Sequence, residues 1–97
     1  MDTLAYGHTD TRITNLPSRT LKDKRRIIKS LMARARQTFN VAAAEVDLQE
    51  IQGAASLGFV TVSPSRAYAV GLLERLEEWI MRERPDVDIV VMELEEF

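Results

Sequence analysis

The chain contains no cysteine. That excludes disulfides, thiolate metal sites and a cysteine nucleophile, and it fits a reducing compartment. It contains one histidine, His8. A lone histidine on a strand is more often a surface residue than a general base. Four glycines and three prolines are scattered along the chain. None of them builds a P-loop, a dinucleotide fingerprint or a nucleophile elbow. No apolar run approaches the roughly 20 residues that span a bilayer. The opening residues MDTLAYGHTDTR have no apolar core of a secretory signal. There is no internal repeat and no low-complexity tract. These absences lead to the expectation of a cytoplasmic protein with no membrane partner, no cofactor, no metal and no catalytic residue.

What remains is ordinary for a globular domain: 97 residues, 45% hydrophobic and 29% charged. That length suits one domain, residues 1–97, with a single two-layer core. The charge, however, is segregated. Residues 18–36, SRTLKDKRRIIKSLMARAR, hold eight of the thirteen basic residues and one of the fifteen acidic ones. A segment of net charge +7 therefore sits inside a chain of net charge -2.

The same segment has helical periodicity. At 100° per residue, Leu21, Ile27, Ile28, Leu31, Met32 and Ala35 share a broad apolar face. Lys22, Arg25, Arg26, Lys29 and Arg36 form a narrow stripe opposite. Thr20 is placed to cap the helix, with Asp23 at the capping-box position and near the positive end of the dipole. Lys24 falls inside the apolar arc, so its stem is expected to pack while its ammonium snorkels to water.

In chain order, residues 3–13 read as a strand with poor alternation. Ala5, Gly7, Thr9, Thr11 and Ile13 are placed against the core; Tyr6, His8, Asp10 and Arg12 share the other face. The basic helix follows a loop over residues 14–18, punctuated by Asn15 and Pro17, and runs to about Thr38. A second strand covers residues 41–48, with Val41, Ala43, Glu45 and Asp47 on one side and Ala42, Ala44, Val46 and Leu48 on the other. A turn with Gly53 leads to a third strand over residues 54–63. Ser63 or Ser65 caps a second helix that runs to about Arg84, with Ala69, Leu72, Leu73, Leu76, Trp79 and Ile80 inward. Pro85 ends it, and residues 87–94 form the last strand. The tail Glu95-Glu96-Phe97 is expected to fray. The order βαββαβ predicts a ferredoxin-like α+β fold, a four-stranded antiparallel sheet with two helices on one face. Glu45 and Asp47, with Tyr6 and His8, are assigned to the open sheet face.

Three stretches also carry a resemblance. TLKDKRR at residues 20–26, FNVAAAEVD at residues 39–47 and LGFVTVS at residues 57–63 occur in order and at spacing similar to the YlxP-like family, a family of unknown function. The resemblance implies a ferredoxin-like fold. Genes of that family often lie among those for translation initiation and ribosome maturation, so it also implies association with RNA or the ribosome. The chain departs from the pattern in a more polar first strand and in Pro64-Ser65, where the family has asparagine and an acidic residue.

Four constellations compete. Glu45 and Asp47, two apart on a strand, can serve as an ion site or an acid–base pair, but such a pair is more commonly a solvated strand face. Pro17-Ser18-Arg19 is the nearest approach to an acylphosphatase phosphate loop and lacks its glycines. Tyr6 and Phe59 occupy the two strands on which RRM domains stack bases, but the basic residue expected before the glycine is Leu57, and Phe59 suits the core better. The basic helix is the stronger surface, because arginine and lysine contact phosphate without reading bases. The expectation is a non-enzymatic accessory factor that binds structured RNA or a ribosomal particle through Arg19, Lys22, Arg25, Arg26, Lys29 and Arg36. The alternative is a protein-interaction module or homodimer with no nucleic-acid role.

Overall fold

In the computed structural model, residues 5–96 are described, with side chains for residues 7–90. The elements are β1 (Ala5–Thr14), α1 (Leu21–Thr38), β2 (Ala42–Asp47), β3 (Ala55–Ser63), α2 (Arg66–Glu83) and β4 (Asp88–Glu96). The sheet is antiparallel with strand order β2-β3-β1-β4. The expected βαββαβ architecture is therefore present, and β1 sits at its centre.

Each helix forms where the sequence supplies a cap and an apolar stripe. Thr20 Oγ1 accepts from the backbone N–H of Asp23 at 3.0 Å, and Lys24 N closes the first turn onto Thr20 O. Ser65, not Ser63, caps α2: its hydroxyl accepts from Tyr68 N at 3.2 Å. Ser63 Oγ instead accepts from Ser65 N, which orders the approach to the helix and leaves Pro64 ahead of it. Ile28, Leu31 and Ala35 of α1 and Leu72, Leu73, Leu76 and Ile80 of α2 meet Ile13, Leu57 and Phe59 of the sheet in one core. Gly7 lets α2 come close to β1, since a Cβ there would stand 2.7 Å from Leu73 Cδ1. Phe39 and Trp79 close one end of the core edge-to-face, with ring centroids 5.8 Å apart.

Three expectations are corrected. First, Lys24 does not snorkel: it is wholly buried, and its ammonium lies 2.9 Å from Glu45 Oε2 and donates to Leu48 O at 2.5 Å. Second, Glu45 is not on the open face and does not share a face with Asp47, which the register sets opposite Ser56, at the outward parity of Gly58 and Val60. Glu45 shares the inward parity of Val41 and Ala43, and a register shift between Glu45 and Asp47 then breaks the alternation. Asp47 Oδ1 accepts from Leu48 N, next to a Leu48 backbone in the left-handed region (φ 63°). Gly53 has no positive φ, so the turn is shaped by Leu48 instead. Third, Glu95 and Glu96 do not fray from the sheet: they continue β4 opposite His8 and Gly7. The expectations for the Tyr6 side chain, for residues 1–4 and for Phe97 fall outside the described residues.

Candidate nucleic-acid interface

α1 presents the site. Its apolar side docks on the sheet, so geometry alone turns Lys22, Arg25, Arg26, Lys29 and Arg36 away from the core. All five are exposed, as is Arg19 just before the cap. Among the described residues none of these six reaches a carboxylate at ion-pair distance. The remaining helix cations are engaged elsewhere. Lys24 is in the interior, and Arg34 Nη1 pairs with Glu83 Oε1 of α2 at 2.8 Å. The one acidic residue of the helix, Asp23, is only half-exposed and lies at its first turn. The outer face of α1 thus carries charge of one sign.

The approach to the helix is held in place. Ser18 Oγ donates to Gln52 O at 2.6 Å, Gln52 Nε2 donates to Ser18 O at 2.9 Å, and Leu16 N donates to Gly53 O at 3.0 Å. Arg19 therefore sits on a clasped loop rather than a free one.

The opposite surface of the molecule is the open side of the sheet. Phe59 is fully buried on the helix side, so it offers no stacking platform. In its place Val60 and Val62 stand out, 43% and 46% exposed, beside Ala42, Ala44 and Val46. This apolar strip replaces the acidic surface assigned from the sequence. On β1, His8 Nε2 lies 3.0 Å from Asp10 Oδ1 at the strip's edge. Gly58 lies level beneath them: a Cβ there would meet Val46 Cγ1 at 3.0 Å.

A third polar contact lay hidden in the sequence. Thr9 Oγ1 donates to Glu77 Oε1 at 2.6 Å, where α2 crosses β1. Burial raises the Glu77 carboxyl above its ordinary value, the Thr9 hydrogen bond opposes this, and Glu74 adds to it. Nothing in the spacing marked Glu77 apart from Glu74 and Glu78. The Lys24–Glu45 contact did leave a signal. A lysine inside an apolar arc and a glutamate with the parity of Val41 and Ala43 are two misfits that resolve each other.

Solved structures define the class. The chain matches the de novo designed protein Foldit4 with a TM-score of 0.57 at 13% identity, covering 98% of this chain and 97% of that one. It matches the de novo designed protein LFR1 1 with ferredoxin fold, known from a solution NMR structure, with a TM-score of 0.56 at 13% identity, covering 91% and 85%. This is a ferredoxin-like domain whose outer helix layer carries a basic stripe. Residues 8–94 match a family model, and the chain belongs to that family, described as protein of unknown function (DUF503). No curated protein matches it. Among the described residues no helix is long and apolar enough to cross a membrane.

Proposed function

We propose that this YlxP-like chain is a non-enzymatic accessory factor that binds structured RNA or a ribosomal particle through the outer face of α1. One observation carries the reading: six cations, Arg19, Lys22, Arg25, Arg26, Lys29 and Arg36, are exposed on one clamped surface with no carboxylate partner among the described residues. Such a surface contacts phosphate and fixes orientation without reading sequence. Four or five phosphate contacts give a slope of about -4 in log affinity against log salt on a duplex. The experiment is binding to ribosomal subunits and to a structured RNA across a salt series. Replacing Arg25 and Arg26 with glutamate is expected to abolish binding while the circular dichroism spectrum and melting temperature stay unchanged. Undiminished binding with the same slope would remove α1 from the interface.

A homodimeric interaction module is favoured by a different observation, the exposed strip of Ala42, Ala44, Val46, Val60 and Val62. The open face of four strands of 10, 6, 9 and 9 residues offers on the order of 500 Å², roughly two-thirds of what a standard interface takes from each partner. A second copy seated there would bury less than a standard interface does, so the dimer is expected to dissociate on dilution. Sedimentation of wild type against Val60→Asp and Val62→Asp tests this. A concentration-dependent dimer lost in both variants supports it, and a monomer at every concentration rejects it.

A further inference from the structure

Resting on the phosphate-binding reading of α1, we infer that its partner is double-helical RNA rather than an unpaired strand. The cations lie within a 100° arc along a single uninterrupted helix. From Lys22 to Arg36 they extend over about 21 Å at 1.5 Å per residue. Lys22, Lys29 and Arg36 run along the middle of the stripe, with Arg25 and Arg26 on its two flanks. This is a fixed, linear array two contacts wide.

The array is stiff because α1 is fastened at four places along its length. Thr20 caps its start, and Lys24 ties its first turn to Glu45 and the carbonyl of Leu48. Arg34 ties its last turns to Glu83, and Phe39 N closes its end on Ala35 O while its ring packs on Trp79. A stiff array gains most from a ligand whose charges are already ordered, because neither side then loses freedom on binding. A duplex supplies that: two strands of phosphates at fixed spacing, denser than on one strand. In the A-form the wide, shallow minor groove also brings 2′-hydroxyls within reach of a helix face.

A single strand would instead need bases to stack on aromatic side chains. The α1 sequence LKDKRRIIKSLMARARQT contains no aromatic residue. The ring that an RRM-like surface would use on β3, Phe59, faces the core. The exposed ring of Tyr68 is on α2, with the Arg75 guanidinium 5.9 Å from its centroid. The polymer that fits α1 is thus the one that can be held by its backbone alone.

The test compares a 16-base-pair RNA hairpin with oligouridylate of equal phosphate count, using the intact chain in a salt series. The expected result is hairpin binding on the order of tenfold tighter at low salt, with a slope near 0.9 per contact rather than 0.7. Lys22→Ala and Arg36→Ala, at the two ends of the row, are each expected to lower the hairpin slope by about one contact. Equal or tighter binding of oligouridylate overturns the duplex inference and leaves the phosphate-surface reading standing. A slope that responds to only one end of the row overturns the engaged-length argument. Binding of neither RNA at low salt brings down both readings.

Discussion

Lys24 decides more at the residue scale than any cation on the surface. A buried ammonium is tolerable only when its charge and its protons are both answered. Glu45 answers the charge at 2.9 Å, although the angles at Oε2 fall outside hydrogen-bond geometry, and Leu48 O accepts a proton. The Leu48 backbone costs roughly 1–2 kcal/mol for its left-handed conformation. That conformation coincides with a carbonyl aimed at the ammonium. Lys24→Met strands Glu45, which is 18% exposed, and is expected to cost about 3 kcal/mol in urea unfolding. The double variant Lys24→Met with Glu45→Met is expected to recover much of that loss, because no unpaired charge then remains. A single variant within 1 kcal/mol of wild type, on the order of a surface change, would show that the ion pair is not a stability element. Both residues lie in the stretches that carry the YlxP-like resemblance. In this chain those stretches meet to close the interior, which gives part of the pattern a structural explanation independent of RNA.

At the element scale, the docking of α2 on β1 carries a pH-sensitive contact. Thr9 is fully buried and its hydroxyl is spent on Glu77, a carboxylate half-withdrawn from water. Because the folded state holds the Glu77 proton more tightly than the unfolded chain does, its contribution favours folding at low pH. That contribution is lost as pH rises from the ordinary value of 4.5 through the raised folded value. Glu77→Gln keeps the hydrogen bond and removes the charge. It is expected to raise the melting temperature at pH 7, with the difference from wild type closing below pH 4.5. A constant difference across pH would assign the effect to packing. Helices were the legible elements of this chain, since caps and periodic apolar residues specify them locally. Thr20, Asp23 and the stripe opposite Ile28 and Leu31 stand where the sequence predicts. β2 was less legible because its residues are small and its two faces differ mainly in charge. Default solvation then points Glu45 outward, and only the three-dimensional partner Lys24 reverses it. The bulge before Asp47 has no local signature at all.

For the whole molecule, the layered arrangement separates two surfaces. The basic row of α1 looks one way and the valine strip of β2 and β3 looks the other, with the core between them. Architecture was readable from element order, because βαββαβ with short connections leaves few ways to cover one sheet face. The chemistry of the open face was not, since it depends on which parity of β2 and β3 the helices bury. The central position of β1 has a consequence of another kind. The first strand made is hydrogen-bonded on both sides to strands made much later: Ile13 waits for Ala55, and Thr14 for Asp88. Until then the strand has nothing to join, and loop closure over such separations slows folding. Meanwhile α1, β2 and β3 are contiguous in sequence, and Lys24 needs only Glu45 and Leu48 to leave water. During synthesis α1 is therefore expected to settle on the β2–β3 hairpin first, leaving a gap beside β3 into which β1 fits last but one, just ahead of β4.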